Sequence, residues 1–209
     1  MFLLMLVAVS SRANAEVVPI SGKTYQIVHA SSGKVLSNGD VGVHDTYLNL
    51  VTAGTVSPGQ EWTFHQLDAS EPIFVLYNHN YNQVADMAMT AAIPGRLLQW
   101  EATYSDNQRF YVKSVEGRDG VVQLISNADK TRAVTAQSDG TMYMRTDLKS
   151  EDTYFKLVDL KKDYPSPVLI TDRYYKIKVY NTNKLLTNRG NVNNDALIYA
   201  DECNESEYQ

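Results

Sequence analysis

The chain has 209 residues, 44% of them hydrophobic, and a formal net charge of −5 from 19 Lys and Arg against 24 Asp and Glu. That is the composition of a soluble globular protein, long enough for one full domain and a remainder. No Lys- or Arg-rich run stands out, which argues against nucleic acid or an anionic membrane surface as partner, and the 14 tyrosines suit half-buried strands and polar ligands.

The N-terminus, MFLLMLVAVSSRANA, has an apolar run from Phe2 to Val9 followed by polar residues and the triplet Ala13-Asn14-Ala15. This pattern predicts a secretory signal peptide over residues 1–15 with the mature chain starting at Glu16, although no Lys or Arg precedes the run. The run is too short to cross a bilayer comfortably, and no second long apolar segment follows, so no membrane span is expected. The expected location is secreted, that is periplasmic or extracellular, after cleavage near Ala15. Cys203 is the only cysteine, so an exported chain must hold its core by packing rather than by an internal disulfide.

From Glu16 onward the sequence repeats. YQIVHASSGKVLSN from Tyr25, FVLYNHNYNQVADM from Phe74 and VQLISNADKTRAVT from Val122 each alternate apolar and polar residues, pass a small polar turn, and resume with a short apolar pair. Alternation is the strand signal and the Ser/Asn/Asp/Gly cluster is the hairpin signal. Third strands follow at 47–51, 97–100 and 142–145, and fourth strands at 61–67, 109–115 and 154–160. The fourth strands carry Trp62, Phe110 and Phe155 in one phase, at intervals of 48 and 45 residues. These are three copies of a four-strand unit with no convincing helix. MAMTAAI (87–93) contains helix formers but is short and falls where a strand-to-strand loop belongs. No single unit can bury its apolar face alone, so the three are expected to close on one core over residues 16–160.

KKDYPSPVL (161–169), with two prolines and several charges, reads as a linker. The pattern then restarts: residues 170–190 match 20–40 at an offset of 150, and the match continues to Gln209. Residues 170–209 are therefore expected to be the truncated start of a second repeat domain belonging to a longer parent, with further domains elsewhere.

The threefold spacing and the endings Gln60-Glu61-Trp62 and Gln108-Arg109-Phe110 resemble the Q-x-W repeats of the ricin-B-type β-trefoil lectins. The third unit departs, with Thr153-Tyr154-Phe155 in that place. The resemblance implies an all-β fold, a β-trefoil with pseudo-threefold repeats, and a shallow sugar site in each unit. Such a site uses an Asp on the second strand, an aromatic ending the third, and an Asn-Gln pair before the fourth. In the second unit Asp86, Trp100, Asn107 and Gln108 occupy these positions, with Leu98 where a glutamine often sits. The first unit offers Ser37, Val51 and Gly59-Gln60 instead, the third Thr135, Arg145 and Asp152-Thr153, and the partial fourth Thr187, Ala200 and Tyr208-Gln209. Only the second unit keeps the constellation.

Those residue types suit a glycan or polysaccharide. An indole covers the C–H face of a pyranose and leaves its hydroxyls free. A carboxylate accepts hydroxyl hydrogen bonds with the added strength of its charge, and an Asn amide both donates and accepts. Gln108 is expected to brace Asp86 or the turn rather than touch ligand. The bland reading is that Trp100 belongs to the barrel rim and Asp86 caps a turn, leaving a protein-binding surface, inhibitor or adhesin, with a degenerate sugar site. An exposed Trp100 beside Asp86 favours sugar; a buried one favours the relic. His29, His44, His65 and His79 share no metal-ligand spacing, and no nucleophile or phosphate-loop motif is present, so no enzymatic activity, cofactor or metal is expected.

Overall fold

The computed structural model describes residues 17–67, 70–92 and 94–164, together with the strand segments 184–187 and 199–202. Apolar-polar alternation produces twelve strands over the first three repeats. The first unit contributes β1 (Lys23–His29), β2 (Val35–Ser37), β3 (Asn49–Val51) and β4 (Trp62–Gln66). The second contributes β5 (Ile73–Asn78), β6 (Gln83–Met87), β7 (Leu97–Trp100) and β8 (Phe110–Ser114). The third contributes β9 (Val121–Ser126), β10 (Ala133–Ala136), β11 (Met142–Arg145) and β12 (Phe155–Asp163). The MAMTAAI stretch leaves β6 at Met87 and forms no helix among its described residues.

The first and fourth strands of the units close a six-stranded antiparallel barrel. β1 pairs with β4, β4 with β5, β5 with β8, β8 with β9, β9 with β12, and β12 returns to β1. Closure removes the exposed edges that an open six-stranded sheet would present. The second and third strands form the hairpins β2–β3, β6–β7 and β10–β11, which cap one end. Single bridges join the hairpins to one another at Tyr47–Leu98, Asn49–Thr141 and Arg96–Tyr143. This is the β-trefoil arrangement that the resemblance implied.

The alternation sends one face of every barrel strand inward. Trp62, Phe64, Phe74, Phe110 and Phe155 are fully buried, and the hairpins add Leu36, Leu48, Leu97, Val134 and Met142 to the same cluster. At roughly 25 cal/mol per Å² of apolar area, these aromatics dominate the stability of the barrel. The indole of Trp62 also donates to Leu36 O at 3.2 Å, tying the fourth strand to the cap of its own unit. Among the caps, the guanidinium of Arg96 lies between the rings of Tyr47 and Tyr143, 4.7 and 4.9 Å from their centroids, and donates to Asn49 Oδ1 at 2.6 Å. One residue of the second unit is thereby held by the first and the third.

β12 does not stop at Leu160, where the unit was expected to end. It runs on to Asp163, pairing Lys162 with Thr24 and Lys23 with Asp163 past an irregularity between Thr24 and Tyr25. Lys162 donates to Glu61 Oε1 at 2.5 Å, and Lys161 to Asp159 Oδ2 at 2.9 Å, so the charges that suggested a linker are partners of the barrel instead. The expected signal peptide and the remainder of the expected linker beyond Tyr164 lie outside the described residues.

The chain divides into two compact parts, residues 1–166 and 167–209. In the second, β13 (Lys184–Thr187) and β14 (Tyr199–Glu202) form an antiparallel pair matching Leu185 with Asp201, Leu186 with Ala200 and Thr187 with Tyr199. That register repeats the β2–β3 pairing of Val35 with Val51, Leu36 with Leu50 and Ser37 with Asn49 at the same offset of 150 residues. The other residues of the expected partial trefoil lie outside the described residues.

Candidate functional site

In each unit a single 3-10 turn precedes the fourth strand: Pro58–Gln60, Asp106–Gln108 and Glu151–Thr153. In the second unit this turn carries two amides whose orientation is set by their neighbours. Ser105 Oγ donates to Asn107 Oδ1 at 2.7 Å, which turns the amide nitrogen of Asn107 toward β6, where it donates to Asp86 Oδ1 at 2.9 Å. The backbone amides of Thr103 and Tyr104 both donate to Gln108 Oε1, at 2.8 and 2.9 Å. The nitrogen of Gln108 then faces the other way, donating to Asp86 Oδ2 at 2.8 Å and to Glu101 O at 2.8 Å. Both oxygens of one carboxylate are thus held by amide donors, which fixes its plane.

Asp86 lies on β6, is nearly buried, and borders a pocket of about 430 Å³ that Trp100, Asn107 and Gln108 also line. Burial pushes its carboxyl up from the ordinary value; the hydrogen bonds from Gln108 and Asn107 pull it back, and the nearby charge of Asp45 adds to the rise. Trp100, the last residue of β7, is half-buried, its indole meeting the edge of His44 with centroids 4.8 Å apart. The four residues expected from the sequence therefore converge on one cleft, which supplies an aromatic surface and an oriented carboxylate. Gln108 is buried and committed to the loop and to Asp86, as a brace would be. Leu98 is buried in the pocket wall.

One contribution was absent from the sequence reading. Gln99, fully buried on β7, accepts from Asn38 Nδ2 at 2.7 Å and donates to the carbonyls of Val41 and Val43 at 2.6 and 2.7 Å. Backbone bonds from Asp45 N to Gln99 O and from Gln99 N to Thr46 O, at 3.0 and 2.9 Å, complete the clamp. The first unit's β2–β3 loop is thereby laid along β7, bringing His44 against Trp100 and Asp45 into the pocket lining. The positive φ of Asp45, 65°, marks the sharp turn this requires, and Asp tolerates it better than most residues. The turn residues Gly42-Val43-His44-Asp45 were the only sequence signal available, and they do not say which strand the loop lies on.

In the other two units the residues at the corresponding positions are engaged within the fold. At Gly59, which aligns with Asn107, an added Cβ would stand 2.2 Å from Asn38 Oδ1 and 2.7 Å from the backbone nitrogen of Asp40. Gly59 N donates to Asp40 Oδ1 at 2.6 Å, so the first unit's own loop fills the space. Gly59→Ala is expected to cost about 1–2 kcal/mol in urea unfolding, because buried Asn38 and the Asp40 backbone must both shift. In the third unit the hydroxyl of Thr135 donates to Ala133 O at 2.9 Å, and Thr153 is buried, accepting from Gln123 at 2.6 Å. Arg145 stacks over Tyr143 at 4.6 Å. The side chains at the fourth set of positions lie outside the described residues.

No protein-family model and no curated protein matches the sequence. Among solved structures, the designed threefold-symmetric protein ThreeFoil is 17% identical with a TM-score of 0.57, covering 66% of this chain and 99% of its own. A ricin B-like lectin of Macrolepiota procera, solved in complex with lactose, is 15% identical with a TM-score of 0.54, covering 70% of this chain and 99% of its own. An exo-β-1,3-galactanase from Clostridium thermocellum is 18% identical with a TM-score of 0.58 over 69% of this chain, but over only 31% of that enzyme. At these identities the likeness shows the fold, and with the barrel and cap geometry it establishes this chain as a β-trefoil.

Proposed function

We propose that this protein is a secreted carbohydrate-binding module, lectin-like, with one sugar site in its second repeat unit. The observation that carries the reading is the half-exposed indole of Trp100 in the same cleft as a carboxylate held at both oxygens. A relic pocket has no need to keep Asp86 oriented, and an aromatic that merely packed the rim would be buried. The indole would take the C–H face of a pyranose, Asp86 its hydroxyl protons, and Asn107 the remaining edge. The lactose held by the Macrolepiota procera lectin and the substrate class named for the galactanase put β-galactosides first in the panel. The reading involves no catalysis; a module of this kind raises the local concentration of a linked domain on a polysaccharide.

The chain contains two tryptophans, of which Trp62 is fully buried and Trp100 lines the pocket, so fluorescence quenching by ligand reports on the site. Titration of the mature chain with mono- and oligosaccharides is expected to saturate with Kd on the order of 1 mM, about −4 kcal/mol. Trp100→Ala and Asp86→Asn, followed by calorimetry, are expected to weaken binding at least about tenfold while leaving the far-UV spectrum unchanged. Binding that survives both substitutions would place the site elsewhere. Absence of any sugar binding by the folded chain would instead direct attention to protein partners.

A further inference from the structure

Resting on the carbohydrate-binding reading, the next question is which sugar the pocket prefers, and the first unit's loop bears on it. Among the residues lining the cleft, Asp45 and Asp86 are the only charged side chains, and none is Lys or Arg. The nearest arginine in the turn, Arg109, is paired with Asp106 at 3.4 Å. We propose that the pocket selects glycans bearing a primary ammonium, de-N-acetylated hexosamine units, over their neutral and N-acetylated counterparts.

The chemistry follows from donors and acceptors. Asp86 already accepts from Asn107 and Gln108, two neutral donors that orient it without cancelling its charge. Its remaining lone pairs and those of Asp45 border a cleft in which no described lining residue is Lys or Arg. An ammonium offers three N–H donors and no acceptor, which matches a pair of acceptor-only carboxylates; a hydroxyl brings one donor and no charge. An acetamido group removes the charge and adds bulk beside the carboxylate. Trp100 reinforces the choice, since the face of an indole attracts a cation while still packing the ring. Burial first, and to a smaller extent the charge of Asp45, push the Asp86 carboxyl up, and the groups that pull it back are the neutral amides of Gln108 and Asn107. Asp45 reaches the pocket only because Gln99 holds the loop, so this preference belongs to two repeat units together rather than to one.

The test compares glucosamine and galactosamine with their N-acetyl and neutral parents, using the full mature chain at neutral pH, in low and high NaCl. The amines are expected to bind about tenfold more tightly than the parents at low salt, the difference between a charged and a neutral hydrogen bond. That advantage should shrink at high salt, since a cation at an open site is screened. Asp45→Asn should reduce the ratio of amine to N-acetyl affinity severalfold, and Trp100→Ala should remove saturable binding of both. Equal affinities for amine and parent, or a ratio untouched by Asp45→Asn, would overturn the preference while leaving the sugar site standing. Amine binding that persists in Trp100→Ala would show attraction to the acidic surface and overturn it as well. If neither amine nor parent binds, the carbohydrate reading itself falls.

Discussion

Replacing Gln108 with alanine is expected to remove about 2–4 kcal/mol of folding stability and to abolish sugar binding at the second-unit pocket. The side chain is buried and takes part in four hydrogen bonds: from the amides of Thr103 and Tyr104, to Asp86 Oδ2, and to Glu101 O. Truncation leaves two backbone donors, a carbonyl and one carboxylate oxygen without their partner, and each such group costs about 1–3 kcal/mol when water cannot replace it. The pocket lies alongside and admits some water, which sets the estimate below the simple sum. Loss of binding follows because Asp86 keeps only Asn107, and the loop carrying Thr103 and Ser105 loses its anchor. Urea unfolding gives the stability and calorimetry the affinity. A variant of wild-type stability would mean that the loop is held by other contacts and that Gln108 is not its brace.

Acidification from pH 7 to 4 is expected to remove on the order of 1–2 kcal/mol through His65, the full shift being reduced by solvent screening of a ring that is only partly buried. Its Nε2 lies 2.9 Å from Nε2 of His79, so in the neutral pair one ring donates and the other accepts. Burial, and then the neighbouring His79, lower the His65 ring from 6.5 to about 4; burial lowers His79, and burial is also the main influence lowering His29. In the unfolded chain each of these rings takes up a proton near 6.5, whereas in the fold it does so only at lower pH. Between those limits the unfolded state binds more protons. Stability is therefore full above about pH 6.5 and falls as pH drops toward 4, where the folded His65 also protonates. Asp86 works in the opposite sense, because its raised carboxyl favours the protonated form in the fold. Urea midpoints at pH 7, 5.5 and 4.5 should show the decline, and His65→Gln should flatten it. An unchanged slope in that variant would shift the acid sensitivity to the other histidines or to carboxylates.

Much of the fold is legible in the sequence. The phase of Trp62, Phe110 and Phe155 identified the inward face of the fourth strands, and all three are fully buried where the barrel closes. Alternation is a local property and survives in a single sequence, as does the spacing of a repeat. The convergence of Asp86, Trp100, Asn107 and Gln108 on one cleft was implied by the resemblance to the ricin-B-type lectins, and it transfers because one hairpin and one turn of a single unit supply all four. The run of β12 past Leu160 was not, because its last residues pair with β1 across the barrel seam, a partner some 140 residues away.

By itself, then, the sequence determined that the chain is built from three four-strand units around a common aromatic core, and which unit retains an aromatic, an acid and two amides. Only the tertiary structure decided what else reaches that pocket. Gln99 chose the carbonyls of Val41 and Val43, in another unit, as the partners that satisfy its buried amide, and so carried His44 and Asp45 to Trp100. The same holds for Asn38 and Asp40, which fill the space beside Gly59, and for the meeting of His65 with His79 across β4 and β5. A buried polar group must find a partner, but the sequence carries no period that says which one, and the partner is settled only when the strands close.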